Sequence, residues 1–95
     1  MKFEWDQHKA EKNVKKHNIS FENAAFVFAD KDALTIFDED HSDLEDRWIT
    51  LGQIPIGSVI LVVHTYRKTN REEVIRIISA RTATKSELKQ YLNAK

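Results

Sequence analysis

The spacing of hydrophobic residues changes once along the chain, from the period of an α helix to the period of a β strand. One helical face is formed by four residues at positions i, i+3, i+4 and i+7, namely Phe21, Ala24, Ala25 and Phe28. Beyond them, β-branched and aromatic residues alternate with polar ones, which is typical of strands. The segments with this pattern are Ala33–Phe37, Arg47–Leu51, Ser58–Tyr66 and Val74–Ala80. The pattern therefore predicts a helical N-terminal part followed by a sheet.

Capping residues predict where three helices begin. Asp6 and Ser20 are good N-cap residues for two helices in the first third of the chain. Asn18 lies just after the first of them, at a position that suits the left-handed conformation. Thr84 with Glu87 three residues later is a capping-box pattern, which opens a last helix running to the C-terminus.

Short turns connect the predicted elements, because the chain has only two Gly and one Pro and no repeat or low-complexity stretch. Gly52–Gly57 makes one connection, and Lys68–Glu72 makes a polar hairpin loop. With a short strand at Lys2–Trp5, the element order is β-α-α-β-β-β-β-α. This order predicts an α+β fold with a mostly antiparallel sheet and helices packed on one face. We expect residues 1–95 to form a single domain.

The composition excludes several classes of protein. The 95 residues contain no Cys, which removes disulfides, thiol nucleophiles and thiolate metal sites. The longest aliphatic run, Val59–Val63, is far shorter than the about 20 residues that a membrane-spanning helix needs. The N-terminal sequence does not have the pattern of a signal peptide. We therefore expect a cytoplasmic protein with no membrane role.

The formal net charge is zero, from 15 Lys plus Arg and 15 Asp plus Glu. Zero at first argues against a nucleic acid partner, because phosphate binding needs an excess of bases. However, residues 1–47 carry 12 acids and 7 bases, whereas residues 48–95 carry 3 acids and 8 bases. Between Asp30 and Asp46, eight acids are accompanied only by Lys31. The question is therefore whether the arginines of the second half are free or paired.

Three arginines occupy positions on the two strands of the predicted hairpin. A hairpin centred near Asn70 would bring Arg67 and Arg76 close together and leave Arg81 toward the other end. Two interpretations of these residues remain open. Their planar guanidinium groups bind a phosphate and its developing charge, or they pair with the acids of Asp38–Asp46.

Three lysines form a basic ridge on the first predicted helix. Lys9, Lys12 and Lys16 lie at i, i+3 and i+7 and therefore share one face. This ridge is either an ordinary solvated face or a surface that holds an RNA backbone without sequence specificity.

No metal site or cofactor is predicted. The acidic stretch Asp38–Ser42 lacks the spacing and the glycine of a calcium loop, so it is either a solvated loop or a docking surface for a partner. The histidines lack the spacing of a zinc site; they are His8, His17, His41 and His64. Because His64 is in the middle of the most apolar strand, we expect it in the core or at an interface.

Taken together, the residues resemble the BrnT family of toxins from bacterial type II toxin-antitoxin pairs. The most specific matches are Trp5-Asp6 and the segment Arg76–Arg81. The further matches, in chain order, are Lys9-Ala10, Asn13, Lys16-His17, Ile19–Glu22, Ala24, His41-Ser42, Glu45, Arg47, Gly52, Val62-Val63, Thr65, Arg67, Ala83, Glu87 and Tyr91. The chain departs from the family pattern at Asn18, at Lys31 and in a longer loop over Lys68–Glu73.

The resemblance implies a RelE-like ribonuclease that cleaves RNA and arrests translation. It also implies a BrnA-type antitoxin with a ribbon-helix-helix DNA-binding part, so that operator DNA is contacted only indirectly through the antitoxin. Carried over by position, the main catalytic candidates are Arg67, Arg76 and Arg81. Glu45 and Tyr91 are further catalytic candidates, and Arg47 joins the lysine ridge as a candidate for RNA binding.

The chemistry that we expect is attack by an RNA 2′-hydroxyl on the neighbouring phosphate, which needs no metal. Arg67 and Arg76 would bind the phosphate, and Glu45 would accept the proton. Arg81 or Tyr91 would orient the strand or assist departure of the 5′ oxygen.

Another class of function also fits the sequence. A noncatalytic binding module would dock a partner through the acidic segment Asp38–Asp46 or through a strand surface, and would keep its arginines only for folding. Direct DNA binding is a weaker option, because no helix combines a basic face with a recognition pattern.

Overall fold

The computed structural model describes residues 1–95 and contains five strands, three α helices and two short 3₁₀ helices. The strands and α helices are β1 (Lys2–Glu4), α1 (Gln7–His17), α2 (Phe21–Ala24), β2 (Leu34–Phe37), β3 (Trp48–Gln53), β4 (Val59–Lys68), β5 (Glu73–Thr82) and α3 (Lys85–Ala94). The 3₁₀ helices are Ala25–Ala29 and Glu39–His41. No helix is long and apolar enough to cross a membrane.

The five strands form one sheet in the order β1-β5-β4-β3-β2. Each neighbouring pair is antiparallel except β1 and β5, which are parallel. These features confirm the predicted α+β class and the mostly antiparallel sheet. The two edges of the sheet are β1 and β2.

The predicted caps are present at the helix ends. The Asp6 carboxylate accepts the Lys9 N–H at 3.0 Å, and Thr84 and Glu87 form the complete capping box. Ser20 caps α2 in the same way. Asn18 adopts the left-handed conformation with φ 57° and ends α1.

The second predicted helix differs from the observed one, because α2 ends at Ala24 and the chain continues as a 3₁₀ helix over Ala25–Ala29. This five-residue segment is rich in aromatic and β-branched residues, which are weaker α-helix formers. It brings Val27 so close to β3 that a Cβ on Gly52 would lie 2.8 Å from the Val27 Cβ. Only glycine fits at position 52.

The prediction that all helices pack on one face of the sheet is wrong for α3. The core cluster beneath α1 and α2 contains Ile60 and Val62 of β4, whereas Leu61 lies in a second cluster with Leu51 and Tyr91 of α3. Successive strand residues point to opposite faces, so α3 covers the face opposite α1 and α2. The physical reason is that β4 is apolar on both faces and must be covered on both.

A β-bulge interrupts the pairing of β4 with β5. Leu61 pairs with Arg81 and Thr65 pairs with Arg76, so four steps on β4 match five steps on β5. The extra residue is Ile78, since Val63 pairs with Ser79 and His64 with Ile77. Without it, Arg76 and Arg81 would point to opposite faces; with it, they share the face that carries α3.

The side chain of Asn13 closes the part of the β5 edge that the short β1 does not reach. Its amide nitrogen donates to the Ala80 and Ile19 carbonyl oxygens at 2.9 Å each, and its amide oxygen accepts the Ala80 N–H at 3.1 Å. The Asn13 side chain therefore replaces the backbone hydrogen bonds of a neighbouring strand, and it holds α1 against the sheet.

His64 lies in the core, as predicted. It is fully buried, its Nε2 is 2.7 Å from the Thr50 hydroxyl oxygen, and its ring contacts those of Phe28 and Tyr66 edge to face. Burial lowers the pKa of His64 to about 4, so the ring is neutral at pH 7.

Candidate active site

A polar cleft opens on the part of the sheet where the strands extend past the core packed beneath α3. Its volume is about 450 Å³. The residues that line it come from β1, β4, β5 and the loop after the second 3₁₀ helix, and they are Glu4, Glu45, Asp46, Thr65, Tyr66, Arg67 and Arg76. Two of the predicted catalytic arginines are therefore in the same cleft as the predicted proton acceptor.

The β4–β5 hairpin places Arg67 and Arg76 side by side, as the sequence predicted. Arg76 pairs directly with Thr65, and Arg67 lies two residues further along β4 on the same face. Diagonal neighbours of this kind are about 7–8 Å apart between Cα atoms. Two guanidinium groups at this spacing can contact one phosphate group or two adjacent ones.

The two arginines differ in their pairing. Arg67 forms an ion pair with the Glu4 carboxylate at 2.9 Å, and 60% of its side chain is exposed. Arg76 is half-buried and has no ion pair and no side-chain hydrogen bond. Arg76 can therefore bind a phosphate without first breaking an ion pair.

Glu4 is a residue of the cleft that the sequence did not indicate. In the parallel register of β1 with β5 it lies opposite Arg76, and its carboxylate forms the ion pair with Arg67. The only sequence signal was the alternation of Lys2–Trp5, which predicts a strand but does not say which strand it pairs with.

The loop that connects β2 to β3 carries acids to the cleft. Glu45 lines the cleft and lies 3.8 Å from Arg47, measured from a carboxylate oxygen to the guanidinium nitrogen. The Asp38 carboxylate accepts from His41 within the loop at 3.0 Å. Arg67 therefore does not pair with the acids of Asp38–Asp46. Among the predicted site residues, only Arg47 forms an ion pair with one of these acids, Glu45.

Arg81 lies outside the cleft. It is about 13 Å from Arg76 along the sheet, because their partners on β4 are four residues apart. Both forks of its guanidinium donate to Glu87 of α3, at 2.8 and 2.9 Å. This hydrogen bonding lowers the pKa of Glu87 to about 2. In this structure Arg81 fastens α3 to the sheet.

Tyr91 is also away from the cleft. Its side chain is buried against Leu51 and Leu61, and its hydroxyl donates to the Asp30 carboxylate at 2.6 Å. Burial, together with this hydrogen bond, raises the pKa of Tyr91 to about 12. The contact ties α3 to the end of the 3₁₀ helix at Ala25–Ala29.

The lysine ridge is on the other side of the molecule. Lys9, Lys12 and Lys16 are exposed on α1, which packs on the face of the sheet opposite the cleft. The structure therefore does not bring the ridge together with Arg67 and Arg76.

No group of three or more His, Asp or Glu side chains is arranged to hold a metal ion. The acids of the loop point to different surroundings: Asp38 binds His41, whereas Glu45 and Asp46 line the cleft.

Two comparisons with known proteins agree with this architecture. The family model described as ribonuclease toxin, BrnT, of type II toxin-antitoxin system matches residues 5–87. The crystal structure of the Brucella abortus ribonuclease toxin BrnT has the same fold, with a TM-score of 0.63 and 24% sequence identity, over 90% of this chain and 99% of that one. No curated protein matches the chain.

Proposed function

This chain belongs to the BrnT family of ribonuclease toxins from type II toxin-antitoxin systems, and we propose that it cleaves RNA in the cleft lined by Arg67 and Arg76. The observation that carries this proposal is the half-buried Arg76, which has no anionic partner. Because this guanidinium lies next to Arg67 and has no ion pair to break, it is available to bind a phosphate group of RNA.

The cleavage step follows from the groups that the cleft offers. The RNA 2′ oxygen attacks the adjacent phosphorus, a 2′,3′-cyclic phosphate forms, and the bond from phosphorus to the 5′ oxygen breaks. Arg76 and Arg67 stabilise the charge on the phosphate oxygens as it develops, which fixed guanidinium groups do well.

Proton transfer uses the cleft and its solvent. Glu45 accepts the proton of the 2′-hydroxyl, because it is the predicted carboxylate that lines the cleft. The leaving 5′ oxygen takes its proton from water, since neither Arg81 nor Tyr91 reaches the cleft. Glu4 pairs with Arg67 in the free chain and is displaced by the phosphate when RNA binds.

The other predicted residues act on binding and folding. Arg47, next to Glu45, contacts the RNA backbone at the rim of the cleft. The lysine ridge contacts the backbone of longer RNA on the far face, outside the cleavage step. Arg81 and Tyr91 hold α3 in place.

The partner expected for a toxin of this type is an antitoxin. We propose that it is of the BrnA type, that its ribbon-helix-helix part binds operator DNA, and that the toxin acts on RNA in the cytoplasm and arrests translation. The relation to RelE-like ribonucleases stays a prediction.

Incubation of the purified chain with RNA, with and without EDTA, tests the proposal. Cleavage in EDTA that leaves 2′,3′-cyclic phosphate ends is the expected result, together with growth arrest that the neighbouring gene product relieves. Cleavage only with Mg²⁺ would contradict the metal-independent scheme. No cleavage of any RNA, alongside tight binding of a partner, would instead favour the noncatalytic module.

A further inference from the structure

The edge strand β2 presents an unpaired backbone to solvent. It is the last strand in the sheet order and pairs only with β3. Its side chains are also unusually exposed for apolar residues, with Ile36 46% and Phe37 39% exposed, on opposite faces of the strand. An edge of this composition is a template for another strand.

The register shows which amides face outward. The Asp38 N–H donates to the Arg47 carbonyl oxygen at 2.9 Å, directly after the pair Phe37 and Trp48. Because inward and outward groups alternate along an antiparallel edge strand, Leu34 and Ile36 bond to β3, whereas the N–H and C=O of Thr35 and Phe37 point away from the sheet.

Two side-chain contacts agree with this register. The Thr35 and Thr50 hydroxyl oxygens are 2.8 Å apart, and the rings of Phe37 and Trp48 meet with centroids 5.1 Å apart. Such close contacts are typical of the pairs that do not exchange backbone hydrogen bonds.

The opposite edge of the sheet is better protected than the β2 edge. At that edge β1 has only three residues, and Asn13 satisfies the backbone of Ala80 beyond it. Leu34–Phe37 contains no Pro, no charged residue and no bulge, which are the usual means of protecting an edge.

The charge around β2 selects the kind of strand that fits. Residues 30–46 carry eight acids and one lysine, so pairing with a second copy would place two strongly acidic segments side by side. At the start of the strand, Asp32 lies 4.0 Å from Lys95. At its end, Glu39 and Asp40 are exposed and have no Lys or Arg partner.

We propose that the β2 edge binds an extended, apolar segment of the antitoxin as a sixth strand, with Lys or Arg at the end that lies beside Asp38–Asp40. The occupant rests on the antitoxin partnership of the proposed function. The same strand leads into the loop whose Glu45 and Asp46 line the cleft, so the antitoxin is held next to the active site.

The test uses the complex of this chain with the antitoxin, taken as the neighbouring gene product that copurifies with it. Amide hydrogen exchange at Thr35 and Phe37 is fast in the free chain and slows by roughly two orders of magnitude in the complex. The amides of Leu34 and Ile36 change much less, because they already bond to β3.

A matched pair of variants isolates the backbone contact. Thr35→Pro removes an outward N–H and leaves the bonds to β3 intact, so it weakens antitoxin binding roughly tenfold. Thr35→Val also loses the hydroxyl but keeps the N–H, and it binds within about twofold of the parent chain. Thermal unfolding of both variants verifies that they are folded.

Several results would overturn the proposal. These are unprotected Thr35 and Phe37 amides in the complex, equal binding by the two variants, no complex at all, or protection that depends on self-association of the free chain. RNA cleavage by the free chain is measured in parallel. If the free chain does not cleave RNA but the β2 amides are protected in the complex, only the proposed nuclease activity is contradicted. If the free chain cleaves RNA but the β2 amides are not protected, only the proposed docking of the antitoxin is contradicted.

Discussion

At the scale of residues, the decisive difference is between three arginines that look equivalent in the sequence. Arg81 is tied to Glu87 by two hydrogen bonds, Arg67 is held by Glu4 at an exposed position, and Arg76 has no partner. The proximity of Arg67 to Arg76 was predictable, because a short polar loop connects their two strands. The carboxylate partner of Arg67 was not predictable, because Glu4 reaches Arg67 only through the long-range pairing of β1 with β5.

Replacing Glu4 by Gln tests how far its pairing with Arg67 competes with RNA. Exposed ion pairs of this kind are worth up to about 1 kcal/mol, so Glu4→Gln lowers the KM for RNA by up to about fivefold and leaves kcat unchanged. The matched control is Glu11→Gln, which removes one negative charge from α1 on the other face. If both variants change KM equally, the effect is one of net charge and the assignment of Glu4 to the cleft is wrong.

His64 makes stability depend on pH. Its pKa is about 4 in the folded chain and near 6.5 when unfolded, so the unfolded state binds the proton first as pH falls. The buried, neutral His64 therefore adds to the free energy of unfolding above pH 6.5, and this added stability is lost as the pH falls from 6.5 to 4. We expect the free energy of unfolding to fall by about 2 kcal/mol from pH 7 to pH 5.

Urea unfolding of the parent chain and of His64→Gln at both pH values measures this contribution. The variant has no imidazole to protonate, so its stability should change much less over the interval. The same pH dependence in both proteins would show that His64 is not the group responsible.

At the scale of elements, local sequence signals predicted where the helices begin, but they did not predict how the helices pack on the sheet. Asp6, Ser20 and the Thr84 capping box act within one helical turn, and each was visible in the sequence. The side of the sheet that α3 covers depends on burial of both faces of β4. The bulge at Ile78 is a single extra residue with no local marker, yet it places Arg76 and Arg81 on the same face of the sheet.

The anchoring of α3 predicts a variant that is less stable but active. Tyr91→Phe removes the hydroxyl that donates to Asp30, and we expect the free energy of unfolding to fall by about 1–2 kcal/mol. Because Tyr91 is remote from the cleft, the cleavage rate of the folded protein should not change. Loss of cleavage without loss of stability would contradict this structural role and would indicate that Tyr91 is a catalytic residue.

At the scale of the whole molecule, zero net charge conceals an uneven distribution. The acids are concentrated at the two ends of β2 and in the loop that follows it. The lysine ridge and the arginine cleft lie on opposite faces of the sheet. An excess of base is therefore not needed for phosphate binding, provided that one guanidinium is left without an anion. The sequence located these charges along the chain, but only the fold assigns them to surfaces.

The most direct measurement is the single-turnover cleavage rate of a short labelled RNA by two double variants. Arg67→Ala with Arg76→Ala and Lys9→Ala with Lys12→Ala each remove two positive charges, from the cleft and from the ridge on the far face. We predict that the cleavage rate falls by at least about 100-fold in the arginine variant and by less than about threefold in the lysine variant. Circular dichroism verifies that both variants are folded. Equal losses, or undiminished cleavage by the arginine variant, would contradict the assignment of the cleft as the site of RNA cleavage.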